Sequence, residues 1–134
     1  QHADAKEFAQ VFTLNVSAQR ALLAAFDPLL RQSRGARVVG LTSSVGATPR
    51  AYWGAYGASK AAFETLLGAY AEENRNIGRI SVAIIDPGAT RTQMRARAYP
   101  GEDPAILKAP DVVGAKIADL MVSGFPTAHR MRID

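Results

Sequence analysis

Residues 79–88 read Arg-Ile-Ser-Val-Ala-Ile-Ile-Asp-Pro-Gly, and this stretch decides the fold class. Its apolar, β-branched run predicts a strand that is buried on both faces, because it lacks the polar–apolar alternation of a half-exposed strand. Pro87 and Gly88 end the strand. Residues 37–42, Arg-Val-Val-Gly-Leu-Thr, predict a second strand of the same kind.

The segments around these strands have helical periodicity. Apolar residues recur at intervals of three or four over residues 4–31 and 56–74, which predicts two amphipathic helices. Asp4, with Glu7 three residues later, predicts the start of the first helix. A last helix is expected over about 111–121, with loops over 43–54 and 86–110 and a possible final strand over 127–133. Strands that alternate with long helices predict an α/β fold with a parallel sheet.

Composition excludes several classes of function. The chain has 134 residues, a net charge of +4 and no cysteine, so disulfides and thiolate chemistry are excluded. The histidines, His2 and His129, stand far apart, and no metal site is expected. Arg91, Arg95 and Arg97 form the densest basic run, which is too small to indicate a nucleic-acid partner. No apolar run is long enough to cross a membrane, and the absence of cysteine agrees with a cytoplasmic location.

Tyr56 and Lys60 form the first candidate site. A spacing of four residues brings both side chains to one face of a helix. A free tyrosine is a poor base at neutral pH, and a nearby cation lowers its pKa. A tyrosine tuned in this way can exchange a proton with a carbonyl or alcohol oxygen. Taken alone, the pair also fits a surface lysine one turn after a half-buried tyrosine.

Ser43 and Ser44 end the strand that precedes this helix. Ligands in open α/β sheets bind beyond the carboxyl ends of the strands, so a serine here could hydrogen-bond a substrate oxygen while Tyr56 moves the proton. The other interpretation is that these hydroxyl groups only satisfy loop amides.

Four motifs in order resemble the short-chain dehydrogenase/reductase family. They are Asn15-Val16, the strand and loop over 38–46, the helix start over 56–62, and Asp86-Pro-Gly-Ala-Thr-Arg-Thr92. Segments 53–56 and 95–104 are most similar to a bacterial subgroup, the YciK-type oxidoreductases. The resemblance implies a Rossmann-type, three-layer α/β/α domain of which this chain is the C-terminal part of the doubly wound sheet.

The resemblance also implies a role for each catalytic position. Tyr56 would be the general acid/base, and Lys60 would lower its pKa and bind the nicotinamide ribose. Asn15 would interrupt the helix and hold a water in a proton relay to Lys60. Ser44 would orient the substrate oxygen, because it directly precedes a Val-Gly pair. Ser43 competes with it, since only Ser43 has the family's commonest separation of thirteen residues from the tyrosine.

For the cofactor, the resemblance implies NAD(P)(H), with NADP(H) slightly favoured. Tyr56, Lys60, Pro87, Gly88, Thr90 and Thr92 would contact it. Asp86 stands where the family usually has Asn, a departure of small consequence if its side chain faces the turn. The substrate would be a small carbonyl compound or secondary alcohol.

The family's glycine-rich turn and Asn-Asn-Ala-Gly segment have no counterpart in the sequence. We therefore expect residues 1–134 to be the C-terminal catalytic portion of one domain, without its N-terminal cofactor-binding half. Helices 4–31 and 56–74 resemble the pair that family members pack into a dimer or tetramer. The alternative is a non-catalytic fragment that acts only as an oligomerisation scaffold.

Overall fold

The computed structural model describes residues 4–134. In chain order its elements are α1 (Ala5–Phe12), a π-helical turn (Thr13–Ser17), α2 (Ala18–Gln32), β1 (Ala36–Leu41), α3 (Ser44–Ala47), α4 (Gly54–Arg75), β2 (Ile80–Asp86), α5 (Gln93–Ala98), a 3-10 turn (Pro104–Ile106), α6 (Pro110–Ser123) and β3 (His129–Arg132).

The three strands form one parallel sheet in the order β1-β2-β3. Val38 pairs with Val82 across the first ladder, and Ile84 pairs with Arg130 across the second. Both predicted strands and the possible third one are confirmed, as is the parallel α/β class. The carboxyl ends of β1 and β2 therefore lie side by side, and the segments that follow them meet at one edge of the sheet.

Alternating residues of β2 enter two separate cores, because successive side chains of a strand point to opposite faces. Val82 and Ile84 pack with Phe63 and Leu67 of α4. On the other face, Ala83 and Ile85 belong to a core with Val113 of α6 and Ile133. Strand β2 is thus covered on both faces, as its unbroken apolar sequence predicts, and the sheet forms the middle of three layers.

The predicted helix over 4–31 is confirmed, with an interruption at its centre. Asp4 caps its start by accepting a hydrogen bond from the amide of Glu7 at 2.8 Å. The backbone then widens into the π-helical turn Thr13–Ser17 before α2 begins. Asn15 is the middle residue of this turn, so the widening presents its side chain at a position that a regular α-helix would not give it.

The two regions expected to be loops contain additional helices. Residues 43–54 include α3, a single turn that begins directly after Ser43. Residues 86–110 include α5, which the Thr92 hydroxyl group caps by accepting from the amide of Arg95 at 3.2 Å. Both helices are too short to show an apolar period, and the expectation of plain loops there was wrong.

Helix α2 is tied to α4 by a polar cluster. Tyr70 donates a hydrogen bond from its hydroxyl group to Asp27 at 2.8 Å, and Arg31 donates to the same carboxylate at 2.7 Å. Burial, followed by the bond to Asp27, raises the pKa of Tyr70 to about 12. Helices α1 and α2 otherwise contain no buried residue among those described. The exposed apolar side chains of α1, the π-helical turn and α2 are Phe8, Leu14, Leu22, Phe26 and Leu29.

Strand β1 has one partner, β2, in the described part of the chain. A groove lies beside its other edge, and it is lined by apolar residues of α2 and β1 that include Leu23, Phe26 and Val38. Within residues 4–134, none of the helices combines the length and the apolar character needed to cross a membrane.

Candidate active site

A cavity of about 270 Å³ opens at the carboxyl ends of β1 and β2. Its walls come from the end of β1, the first turns of α4, the segment after β2, and α5. The sequence-predicted residues that line it are Ser43, Tyr56, Lys60, Pro87, Gly88, Thr90 and Thr92. The fold therefore brings together positions that are up to 49 residues apart in the chain.

Tyr56 is the third residue of α4 and is half-buried at the cavity. Burial raises the pKa of its phenol above the usual value near 10, and the negative charge of Asp86 raises it further. The Ser43 hydroxyl group acts in the opposite direction and lowers the pKa of Tyr56. The net shift is upward, so the phenol holds its proton at neutral pH.

Lys60 lies one turn after Tyr56 and points toward the end of β1. Its Nζ donates a hydrogen bond to the carbonyl oxygen of Leu41 at 3.0 Å and lies 5.7 Å from the centroid of the Tyr56 ring. Burial lowers the pKa of this ammonium group. The causes that shift the pKa of Tyr56 are burial, Ser43 and Asp86, so a lowering of that pKa by Lys60 stays a prediction. Burial outweighs the other effects on the phenol, and the ammonium group is bonded to a backbone carbonyl.

Of the two candidate serines, only Ser43 lines the cavity of Tyr56, and Ser43 also shares a neighbouring cavity with Ser44. Ser43 has an extended backbone, with φ −156° and ψ 146°, and lines the cavity that contains Tyr56. Ser44 is the first residue of α3 and lines a neighbouring cavity with Glu64 and Arg130. The geometry therefore associates Ser43, and not the preferred Ser44, with Tyr56.

Asn15 reaches the site through the backbone of α4. Its Nδ2 donates to the hydroxyl oxygen of Ser59 at 3.0 Å, and this hydroxyl group donates to the carbonyl oxygen of Tyr56 at 2.7 Å. Ser59 is fully buried and directly precedes Lys60 in the helix. Asn15 thus fixes the first turns of α4, which carry both Tyr56 and Lys60.

The segment after β2 is held in a tight turn. The Asp86 carboxylate accepts from the amide of Gly88 at 2.9 Å, so its side chain faces the turn as expected. Gly88 has φ +66°, which favours glycine. Thr90 forms a parallel bridge with Lys108, and the amide of Arg91 donates to the carbonyl of Lys108 at 2.9 Å. This bridge closes the segment that carries α5.

The cavity is also lined by residues to which the sequence assigned no role in the site. Trp53 comes from the turn before α4, and Met94, Arg95 and Ala98 come from α5. The sequence signal for the first of these was its position three residues before Tyr56. The others lie in the region predicted as a loop, where no pattern marks which side chains turn inward.

Residues 1–103 match the sequence profile of the family described as short chain dehydrogenase. The chain belongs to the short-chain dehydrogenase family. The family resemblance stated from the four motifs is thereby confirmed. Among the residues that the structure describes, no group of three or more His, Cys, Asp or Glu side chains could hold a metal ion; His2 lies outside them.

Individual members of the short-chain dehydrogenase family are closely similar. The chain is 47% identical over 100 residues to the Escherichia coli (strain K12) protein named "Uncharacterized oxidoreductase YciK", covering 75% of this chain and 39% of that protein. The solved structure of the oxidoreductase yciK from E. coli matches with a TM-score of 0.90 and 38% identity, covering 98% of this chain and 54% of that one.

A short-chain dehydrogenase from Shigella flexneri 2a str. 301, solved in complex with NADP, also matches. Its TM-score is 0.90 at 38% identity, and the match covers 98% of this chain and 55% of that chain. The Rossmann-type α/β architecture of the family is therefore confirmed for these residues. The chain spans about half the length of the solved relatives and 39% of the curated one.

Proposed function

We propose that this chain is the proton-transferring, C-terminal portion of an NAD(P)-dependent oxidoreductase that interconverts a carbonyl compound and a secondary alcohol. One observation carries the proposal: Tyr56, Lys60 and Ser43 line one cavity together with the turn over 87–92. Perturbed titratable groups that converge in a cleft are typical of catalytic sites.

Tyr56 acts as the general acid/base in this proposal. Because its pKa is raised, the phenol is protonated at neutral pH and is ready to donate to a carbonyl oxygen. Ser43 donates a hydrogen bond to the same oxygen and orients it, a role for which we now favour Ser43 over Ser44. In the reverse direction Tyr56 must first lose its proton, and the Ser43 hydroxyl group assists by stabilising the phenolate.

Lys60 and Asn15 support Tyr56 from the helix. The Lys60 ammonium group, held by the carbonyl of Leu41 at 3.0 Å, supplies a positive charge beside the phenol and donors for sugar hydroxyl groups. Asn15 acts as a positioning residue, since its bond to Ser59 holds the turn of α4 that carries the acid/base. A water that links Asn15 to Lys60 remains part of the proposal.

The donor set of the cavity fits a nicotinamide nucleotide. The Lys60 ammonium and Tyr56 hydroxyl groups would hold the ribose, while Pro87, Gly88, Thr90 and Thr92 would line the nicotinamide. The cofactor supplies the hydride acceptor or donor. We favour NADP(H), because related short-chain dehydrogenases at 38% identity were solved in complex with NADP and with NADPH.

We further propose that an N-terminal portion with the glycine-rich turn completes the domain, adding a parallel strand to the free edge of β1. The apolar groove beside that edge and the absence of buried residues in α1 and α2 support this. An unpaired edge next to apolar surface is otherwise a liability. Assembly into a homodimer or homotetramer through helices 4–31 and 56–74, in the cytoplasm, completes the proposal.

The alternative is an oligomerisation scaffold without catalysis, which the exposed apolar side chains of α1 and α2 favour. The deciding experiment titrates the full-length protein with NADPH and NADH, then measures carbonyl reduction. We expect NADPH binding and turnover in the wild type. Tyr56→Phe should abolish turnover but leave NADPH affinity within about twofold, because Lys60 and the turn over 87–92 still hold the nucleotide when the Tyr56 hydroxyl group is lost. Turnover by Tyr56→Phe would contradict the acid/base role, and a stable oligomer that binds neither nucleotide would favour the scaffold.

A further inference from the structure

The cavity has a second side that takes no part in the proposed proton transfer. Trp53, Met94, Arg95 and Ala98 form this side of the lining. Since the turn over 87–92 is assigned to the cofactor, the chemistry of this second wall decides which organic group can lie beside Tyr56. The inference below rests on the proposed function and specifies its substrate class.

Trp53, the aromatic residue of this wall, belongs to a stack that continues through Tyr99 outside the cavity lining. The Trp53 indole meets the Tyr56 ring edge-on, with centroids 5.6 Å apart and an interplanar angle of 70°. Tyr99 stacks on Trp53 at 5.7 Å and 24°. The Arg95 guanidinium carbon lies 3.8 Å from the centroid of the Tyr99 ring. Stacked rings have few rotatable bonds, so the wall is a flat apolar surface already in place next to the acid/base.

The cation in this wall is already paired. Arg95 donates from Nε and Nη2 to the two carboxylate oxygens of Glu102, both at 2.6 Å. The amide of Glu102 donates to the carbonyl of Tyr99 at 3.1 Å, a turn that folds the carboxylate back onto α5. The two side chains are 24% and 21% exposed. This two-bonded pair neutralises the guanidinium charge and occupies its Nε–Nη2 edge, so Arg95 attracts an incoming anion only weakly.

The other charged groups at the cavity belong to the side assigned to the cofactor. Lys60 bonds the carbonyl of Leu41 and is assigned to the nicotinamide ribose, and Asp86 bonds the amide of Gly88. What the cavity offers a substrate is therefore the Tyr56 and Ser43 hydroxyl groups on one side and a flat, electrically neutral wall on the other.

We propose that this cavity accepts an uncharged aromatic ketone or aldehyde, or the matching alcohol, with its ring against Trp53 and its oxygen toward Tyr56, and that it rejects rings carrying a carboxylate. The discrimination comes from the Arg95–Glu102 pair. Because Glu102 already pairs with Arg95, the guanidinium group of this wall offers little compensation for the desolvation of an anionic ring placed against it.

The test measures binding, so it does not depend on turnover. Acetophenone and 4-acetylbenzoate are titrated into the full-length protein with NADP⁺ and followed by saturation-transfer NMR. We expect acetophenone to bind at least about tenfold more tightly. Trp53→Ala should weaken acetophenone binding by about tenfold, a typical loss for a stacking partner. Trp53→Phe keeps an aromatic ring and is less disruptive to folding than alanine, so it should weaken acetophenone binding less. Tyr52→Ala is the matched control, because the neighbouring Tyr52 is 92% exposed.

Glu102→Gln supplies the second arm of the experiment. It frees the Arg95 guanidinium group and should raise the affinity for 4-acetylbenzoate by about tenfold relative to acetophenone. Tighter binding of 4-acetylbenzoate by the wild type, or unchanged acetophenone binding in both Trp53 variants, would overturn the proposal. Binding of acetophenone without any hydride transfer would leave this inference intact while contradicting the proposed function. Turnover of carboxylated ketones, without turnover of uncharged ones, would support the proposed function and contradict this inference.

Discussion

Gly57 of α4 faces the carbonyl oxygen of Val45 in α3 so closely that a Cβ built on the glycine would lie 2.8 Å from that oxygen. Gly57 is buried and directly follows Tyr56 in the chain. The contact therefore fixes how near α3, and with it Ser43, comes to the proposed acid/base.

Gly57→Ala should destabilise the protein by about 1–3 kcal/mol, because a backbone carbonyl cannot yield as a side chain can. Chemical unfolding measures the loss. Gly68→Ala in the same helix is the matched control. No atom lies within 4 Å of a Cβ at position 68, so alanine there should be neutral or stabilise the protein by up to about 1 kcal/mol. Equal effects of the two substitutions would contradict the packing argument.

Replacement of the two serines should separate their roles. Ser43→Ala removes a hydroxyl group that lowers the pKa of Tyr56, so kcat should fall by about 100-fold and the rise of alcohol oxidation with pH should move to higher pH. Ser44→Ala, at the neighbouring cavity, should leave both kcat and the pH profile close to wild type. The pH profile of the full-length protein is the measurement. A larger loss of kcat in Ser44→Ala than in Ser43→Ala would instead support Ser44, the serine that the sequence favoured.

The raised pKa of Tyr56 predicts opposite pH dependences for the two reaction directions. Carbonyl reduction needs the protonated phenol, so its rate should stay level through neutral pH and decline only above about pH 10. Alcohol oxidation needs the phenolate, so its rate should increase with pH from neutral pH to above about pH 10. Initial rates at saturating cofactor test this. A bell-shaped reduction profile centred below pH 7 would contradict it.

Asn15→Ala removes the donor to Ser59 and should cost about 0.5–1.5 kcal/mol of stability. Because Asn15 acts through α4 and touches no substrate, kcat should fall while KM changes little. Thr13→Ala, at an exposed position of the same π-helical turn, is the control and should change neither value. A change confined to KM would argue for direct contact with the substrate instead.

Tyr70 predicts how stability depends on alkaline pH. The folded protein holds the Tyr70 proton up to about pH 12, whereas an unfolded tyrosine loses its proton near 10. The native state is therefore favoured below pH 10 and loses that advantage as the pH rises toward 12. The midpoint of thermal unfolding should decline less between pH 10 and pH 12 in Tyr70→Phe than in the wild type. Tyr52→Phe, at an exposed site, should decline as the wild type does.

Sequence patterns predicted the elements whose burial is visible in the order of their own residues. The apolar run of β2 and the periodicity of α4 each record burial directly, and both were found within two residues of their predicted bounds. Helix α5 was missed because its six residues, Gln-Met-Arg-Ala-Arg-Ala, contain no apolar period.

The parts of the site that escaped prediction depend on backbone geometry that single residues do not encode. Ser43 and Ser44 are identical in type, and only the change from extended to helical backbone between them assigns one to the cavity of Tyr56. The interruption at Asn15 was expected from the family resemblance alone, because the π-helical turn has no composition signal. The Arg95–Glu102 pair spans seven positions and depends on the turn between them, so neither helical nor strand spacing predicts it.

The bridge between Thr90 and Lys108 has an evolutionary consequence. Because the bridge holds both ends of segment 91–107 together at the edge of the sheet, that segment can be replaced as a unit. Its length and side chains can change without moving Tyr56 or the strands, since lengthening a closed loop costs little free energy. Descendants of one ancestral chain could thus acquire new substrates by rewriting these residues alone, with the proton-transfer apparatus inherited unchanged.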